Sequence, residues 1–169
     1  MRSHFNLSSD ATILTGLAYI GDLLIEFSPP HQVNDTLFRM TIACLEAIAS
    51  YPQDLQTILR YFEVWLLKIE GFLPDLRRCA DCHRAFNTEE SVYLGRDLGL
   101  RCATCREGRA ISKSLHAQLR TAEKLPPTKF AEETRDSARE TKREMAELTH
   151  QIISRVLERV PRVRPTFAQ

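Results

Sequence analysis

The sequence predicts a mainly α-helical protein, a helical bundle that carries an inserted four-cysteine hairpin module. Apolar residues recur at three- and four-residue spacing over most of the chain, in segments delimited by capping residues and prolines. This periodicity stops at Arg77, where cysteines, glycines and arginines take over, and it returns after Arg109. We therefore assign residues 1–76 and 110–169 to one helical domain and residues 77–109 to a metal-binding module inserted in it.

Composition and charge favour a soluble, cytoplasmic protein. The chain has 169 residues, of which 43% are hydrophobic and 27% charged, enough for one core with a small satellite. No apolar run approaches the ~20 residues that cross a bilayer, and the start lacks the apolar stretch of a signal peptide. Residues 1–70 carry four Lys/Arg against eight Asp/Glu (−4), and residues 71–169 carry nineteen against fourteen (+5). Any basic surface must therefore come from local clustering.

The first two helices are predicted from capping residues followed by apolar positions at helical spacing. The first contains the apolar positions from Leu14 to Ile25 and follows a cap at Ser8 or Ser9. The second begins after Asn34, whose side chain can accept a hydrogen bond from the first turn. Both helices would bury one apolar face in the bundle.

A third helix is predicted to run roughly from Asp54 to Glu70, with apolar residues along one face. Gly71 fits the left-handed position that commonly follows a helix, and Pro74 prevents the helix from resuming. The chain should therefore leave the bundle at this point and enter the module.

The remainder of the chain is predicted to contain a short strand and two more helices. Alternation over residues 91–95 is typical of a hairpin strand. Ser112 can cap a helix that Pro126 and Pro127 interrupt. The last and longest helix is expected from Ala131 to Val160, since opposite charges occur at helical spacing in its first half and apolar residues in its second.

Four cysteines have the spacing of a zinc site. Cys79 and Cys82 are separated by two residues, as are Cys102 and Cys105, and nineteen residues connect the two pairs. A two-residue spacer lets one tight turn aim both sulfurs at the same ion, and two such turns complete a tetrahedron of thiolates. We predict one structural Zn²⁺, because four protein ligands leave no open position for a catalytic water.

Other interpretations of the cysteines remain open. The segment from Cys79 to His83 matches the C-x-x-C-H attachment signature of c-type haem, although haem attachment requires export from the cytoplasm and would leave the second pair without a role. A redox dithiol and an iron–sulfur cluster are the further alternatives. His83 could also replace a cysteine as a ligand, whereas Cys44 lies on an apolar helix face and reads as a buried hydrophobic residue.

Motifs of catalysis do not occur in the sequence. It contains no Gly-rich phosphate loop, nucleophile elbow or metalloprotease helix, and its acidic residues occur singly or in helical ion-pair patterns. We therefore expect a binding protein rather than an enzyme.

The segment from Tyr61 to Cys82, YFEVWLLKIEGFLPDLRRCADC, resembles the signature of the bacterial recombination mediator family RecO. That family places a leucine-rich helix, a glycine, an aromatic residue and a proline before its first cysteine pair, here ending in Gly71, Phe72 and Pro74. The resemblance extends over most of the chain from about Leu14, and is most specific over residues 61–105. His83 departs from it, since the family usually has glycine there.

The resemblance implies a non-enzymatic role in recombinational DNA repair. Family members bind and anneal DNA, bind the partner RecR, engage the C-terminal tail of the single-stranded-DNA-binding protein and help to load RecA. It implies a bacterial, nucleoid-associated protein. The family also has an N-terminal OB-fold, and no such region is present in this sequence. We therefore expect a truncated chain or a late-start gene product that binds single- and double-stranded DNA only weakly; a module that binds proteins alone is the alternative.

Two sets of cations are candidates for these contacts. The charge pattern alone also permits a solvated mixed surface, because five acidic residues lie within the module. The candidates for DNA binding are Arg77, Arg78, Arg84, Arg96, Arg101, Arg106 and Arg109 of the module, with Arg162 and Arg164 of the tail. The candidates for anchoring a partner's acidic, apolar tail on the helical bundle are Arg39, Arg60, Lys68, Arg155 and Arg159.

Overall fold

Six helices and a small three-stranded sheet make up the part of the protein that the structure describes. The structure is a computed structural model, and it describes residues 10–28, 34–87 and 90–157. None of its helices is both long and apolar enough to pass through a membrane. The helices are α1 (Ala11–Phe27), α2 (Asp35–Ser50), α3 (Leu55–Ile69), α4 (Lys113–Ala122), α5 (Pro127–Glu133) and α6 (Arg139–Val156), and a 3-10 turn, Pro52–Asp54, precedes α3.

Side-chain caps define the starts of three helices. Asn34 accepts a hydrogen bond from the Leu37 backbone N–H at 3.0 Å, as predicted. Ser112 caps α4 in the same way, also as predicted. The expected cap of the first helix at Ser8 or Ser9 is wrong, because Asp10 takes that position and its carboxylate accepts from Thr12 N–H at 2.8 Å.

Helix α3 lies at the centre of the bundle. It contacts α1, α2, α4, α5 and α6, and most of its side chains are buried. Among them is Glu63, a carboxylate with no exposed surface. It accepts hydrogen bonds from Tyr19 of α1 at 2.6 Å and from Thr149 of α6, and it forms an ion pair with Arg60 at 2.8 Å. A buried charge requires such partners, so this cluster sets how α1 and α6 meet α3.

The predicted helix from Ala131 to Val160 is wrong in its first half. The chain forms the short helix α5 up to Glu133, turns at residues 134–137 and begins α6 at Arg139. Phe130 and Ala131 of α5 and Met145 of α6 are all buried in the core, and the turn between the two helices lets both segments contribute to it. Ion-pair spacing was a weak predictor here, since such pairs stabilise a helix by only a few tenths of a kcal/mol. Val160 itself lies outside the described residues.

The predicted module, residues 77–109, contains most of a three-stranded antiparallel sheet, whose last strand extends two residues beyond it. Strand β1 (Val92–Leu94) lies in the middle, between β2 (Leu100–Arg101) and β3 (Arg109–Ile111). The alternation over residues 91–95 correctly predicted β1. The other two strands are too short to carry a recognisable period, so the sequence did not predict them. The predicted fold class, a helical bundle with an inserted cysteine-rich hairpin, is confirmed.

Contacts from two helices attach the module to the bundle. The His116 ring on α4 is buried, packs edge-on against Phe86 and forms a hydrogen bond with the Leu76 carbonyl oxygen at 2.8 Å. The Arg155 guanidinium at the end of α6 donates to the carbonyl of Arg96 in the β1–β2 turn. These contacts hold the module against α4 and α6.

Stability should fall in weak acid through His116. Burial lowers the pKa of His116 below its usual 6.5; the hydrogen bond with the Leu76 carbonyl opposes this shift, the positive charge of Arg120 adds to it, and the charge of Glu90 opposes it. Because the unfolded state then binds more protons, the stabilisation is complete above pH 6.5 and is lost as pH falls through the folded-state pKa, by at most about 1.4 kcal/mol per pH unit. Denaturant unfolding in a metal chelator between pH 7.5 and 5 measures this loss.

The variant His116→Gln should flatten this pH dependence. His83→Gln is the matched control, because His83 is exposed and should leave the slope unchanged. Equal slopes for the wild-type protein and His116→Gln would contradict the assignment.

Candidate metal centre

The four predicted ligands lie together. The sulfur atoms of Cys79, Cys82, Cys102 and Cys105 are all within 4.8 Å of one another, and no other residue that the structure describes belongs to this group. The Cys82 and Cys102 sulfurs are 3.8 Å apart, far beyond the ~2.05 Å of a disulfide. A tetrahedron with ~2.3 Å zinc–sulfur bonds has sulfur–sulfur edges of about 3.8 Å. The geometry therefore fits one tetrahedral ion and requires no ligand from His83.

Tight turns aim the sulfurs at a common point. In the first turn, His83 N–H donates to the Cys79 carbonyl at 3.0 Å, and Cys79 N–H donates to the Arg84 carbonyl at 2.9 Å. His83 closes this turn with a φ of +57°, a left-handed conformation that histidine tolerates better than most residues. The two cysteine segments are joined by a hydrogen bond from Ala80 N–H to the Leu100 carbonyl at 2.8 Å.

Local donors prepare the thiols for metal binding. Hydrogen bonds, chiefly from the Cys105 backbone N–H and also from the Arg84 side chain, lower the pKa of Cys102 to about 6 against the opposing effect of burial. The pKa of Cys105 is raised to about 12, first by its hydrogen bond with Cys82 and then by burial. An ion bound by all four sulfurs must displace the remaining protons, so metal affinity should decrease as pH falls.

The environment of the site is closed rather than catalytic. Cys79 and Cys102 are buried and Cys105 is half-buried, while Cys82 is exposed. With four sulfur ligands a tetrahedral ion has no position left for a water or a substrate. Such a site holds together chain segments that have little core of their own.

Arg101 is not placed as we expected for a DNA contact. Its side chain is only 8% exposed, and its guanidinium pairs with Asp97 at 2.7 and 3.0 Å and with Asp81 at 2.9 Å. The sequence analysis missed these two aspartates. Nothing in their spacing marks them, because one precedes Cys82 and the other lies in a hairpin turn.

The other arginines of the module differ in whether their side chains form ion pairs. Arg78, Arg96 and Arg106 are exposed and have no ion pair among the described residues. Arg84 pairs with Glu90 at 2.8 Å, whereas Arg77 and Arg109 form only long ion pairs, with Glu123 at 3.7 Å and with Glu144 at 4.0 Å. Arg162 and Arg164 lie outside the described residues.

Among the candidates for partner binding, Arg39 is the most accessible cation with an apolar surround. It is exposed on α2, and its one polar contact with the described residues is a hydrogen bond to the Asp35 carbonyl of its own helix. Phe38 and Ile42, next to it on the same helix, are 66% and 39% exposed. The other candidates are occupied or undescribed: Arg60 pairs with Glu63, Lys68 pairs with Glu123 and lies over the Trp65 ring, Arg155 bonds the Arg96 carbonyl, and Arg159 lies outside the described residues.

Comparison with known proteins identifies the family. The family model described as "Recombination protein O C terminal" matches residues 8–165, nearly the whole chain. This chain belongs to that family. A protein named DNA repair protein RecO from Dehalococcoides mccartyi is 28% identical over 106 residues, which cover 63% of this chain and 42% of that protein. A second, from Koribacter versatilis, is 32% identical over 66 residues, which cover 39% of this chain and 26% of the relative.

The match to the RecO family is confined to part of each relative. The chain spans less than half the length of the curated relatives it matches, including the RecO of Caldicellulosiruptor saccharolyticus, where 115 aligned residues cover 46%. The predicted resemblance to the C-terminal region of RecO is thus confirmed.

Loss of one cysteine should abolish metal binding. We expect about one zinc ion per purified chain, and Cys102→Ser should lose it and unfold the module, because three ligands bind far more weakly than four. Cys44→Ala is the matched control, since Cys44 is buried in the bundle away from the cluster. Metal analysis by mass spectrometry measures the stoichiometry, and a wild-type protein free of metal would contradict the assignment.

Proposed function

We propose that this chain is a non-enzymatic component of recombinational DNA repair that binds DNA and partner proteins through its helical bundle and metal module. The single observation that carries this proposal is the family match over residues 8–165, together with relatives that are named DNA repair protein RecO. In this proposal the chain would bind RecR and the tail of the single-stranded-DNA-binding protein, and it would help to load RecA.

The metal in this proposal is zinc, with a structural role. Four thiolates in a compact tetrahedral arrangement suit Zn²⁺, which has no geometric preference of its own and binds sulfur readily. The ion would hold the two cysteine segments together, and the arginines that flank them would then present a defined surface. An iron–sulfur cluster uses the same ligands, so metal analysis must separate the two.

The free arginines of the module support a DNA-binding surface. Arg78, Arg96 and Arg106 are exposed and unpaired among the described residues, and the weak ion pair of Arg109 would yield easily to a phosphate. Arg101 is left out of this surface, because its guanidinium is buried in ion pairs. The chain should bind single strands weakly and in a salt-dependent manner.

Salt dependence tests the DNA-binding part of the proposal. Binding to a single-stranded oligonucleotide should weaken as salt rises, with log K falling about 0.7 per phosphate contact for each decade of salt. The triple variant Arg78→Gln, Arg106→Gln and Arg109→Gln should reduce that slope by about 2, whereas Arg39→Gln should leave it unchanged. Fluorescence anisotropy across a salt series measures the slopes.

A version fused to an OB-fold should bind more tightly at the same salt, since an OB-fold adds a basic groove and stacking aromatic residues. If the chain alone shows no salt-dependent binding while a partner peptide still binds, the chain is a protein-only interaction module.

That second candidate function is favoured by the surface of α2. Phe38 and Ile42 are exposed one helical turn apart, and the Arg39 guanidinium beside them contacts, among the described residues, only the Asp35 carbonyl of its own helix. This combination would bind a peptide that has both apolar side chains and carboxylates. The apolar side chains would pack on Phe38 and Ile42, and a carboxylate would pair with Arg39. This supports the helical bundle, rather than the metal hairpin, as the docking site of the acidic tail.

Arg39→Ala should weaken binding of such a tail peptide by about 1.5–3 kcal/mol, the range for a hydrogen bond to a charged group. Isothermal titration with the peptide should give smaller losses for Arg60→Ala, Lys68→Ala and Arg155→Ala, because those cations already have partners. If instead only the arginines of the module affect peptide binding, the bundle is the wrong surface.

A further inference from the structure

Arg101 occupies the point where three parts of the module meet. It directly precedes Cys102, and through its guanidinium it contacts Asp81 inside the first cysteine turn and Asp97 inside the β1–β2 turn. Its Nη1 atom also lies 3.4 Å from the Gly99 carbonyl, and Glu107, beyond the second cysteine pair, is 3.8 Å from its Nε. One side chain thus connects both cysteine segments and the turn between them.

The surrounding sequence makes room for this guanidinium. A Cβ atom on Gly95 would lie 2.0 Å from the Nη1 atom of Arg101, which is closer than any real contact. Gly95 is therefore needed for the close approach of the arginine and not for its backbone conformation, since its φ is not left-handed. The Arg101 side chain is 8% exposed, while the Asp81, Asp97 and Glu107 side chains around it are each about half exposed, at 46%, 58% and 57%.

We propose that Arg101 is the positioning residue of the metal centre, which holds the two cysteine turns in register and so determines how tightly they retain the ion. This inference rests on the proposed metal site. The module has a very small core, with strands of only two or three residues, and its two cysteine turns belong to separate segments of the chain, so the turns need an added connection before the ion binds. A bidentate guanidinium supplies directional bonds to two acids at once, which a lysine cannot reproduce.

Two physical effects of Arg101 act in the same direction and must be separated by experiment. Its positive charge should favour metal binding, because a divalent ion with four thiolate ligands carries a net charge of −2. Its positioning effect should strengthen binding, because preorganised ligands lose less freedom when the ion binds. Arg101→Lys keeps the charge and loses the bidentate geometry, and it therefore isolates the positioning effect.

The experiment measures metal affinity and release in the full chain. Co²⁺ is titrated while its visible absorption bands are followed, Zn²⁺ competes it out, and a chromophoric chelator times zinc release. Arg101→Lys should bind both metals about 10- to 100-fold more weakly and release zinc faster, as for other residues that support metal ligands. Arg106→Lys is the matched control, an exposed arginine beside Cys105 that should stay within twofold of the wild-type protein.

Coupling to Asp81 distinguishes positioning from general destabilisation. In an Asp81→Asn background the same Arg101→Lys change should cost much less affinity, because its partner is already lost. If Arg101→Lys does not fold, Asp97→Asn gives an isosteric test at an exposed side chain, with weakened affinity expected.

The proposal would be overturned if Arg101→Lys bound the metals as tightly as the wild-type protein. It would also be overturned if the losses of metal affinity caused by Arg101→Lys and by Asp81→Asn were fully additive. Unchanged affinity of a folded Asp97→Asn variant would count against it in the same way. A wild-type chain that binds neither Co²⁺ nor Zn²⁺ would instead refute the metal site on which the proposal rests.

Discussion

The buried carboxylate of Glu63 is the constraint on which the rest of the structure depends. A charge with no exposed surface is tolerated only where hydrogen bonds and a counter-charge surround it, and here Tyr19, Thr149 and Arg60 provide them. These partners come from α1 (Ala11–Phe27), α6 (Arg139–Val156) and α3 itself, so one side chain determines how three helices meet. The end of α3 then determines where the chain leaves the bundle, at Gly71 with its φ of +77°.

The module depends on the bundle for its position and on its cysteines for its internal order. Its three strands have two or three residues each, too little to form a stable sheet alone. His116 and Arg155 attach it to α4 and α6, and the cysteine turns gather four sulfurs at its centre. An ion bound there would supply the cohesion that the small core cannot, which explains why the cysteines occur in this segment of the chain.

Two groups of exposed side chains suit two kinds of partner. Some arginines of the module form ion pairs, whereas Arg78 and Arg106 have none with the described residues, so that a phosphate would not have to displace a described carboxylate from them. On α2, the Arg39 guanidinium lies beside exposed apolar side chains, which suits an acidic and apolar peptide. The proposed function assigns DNA to the arginines of the module and a protein partner to α2.

The sequence by itself determined the helical class, the caps at Asn34 and Ser112, the end of α3 and the four clustered cysteines, because short-range spacing encodes all of these. Only the tertiary structure decided the break between α5 and α6, the burial of His116 and the role of Arg101. Each of these depends on residues distant in the chain: the core position of Met145, the Leu76 carbonyl and the carboxylate of Asp81. A charged residue reads the same in a sequence whether it faces solvent or a buried partner, and only the fold supplies that partner.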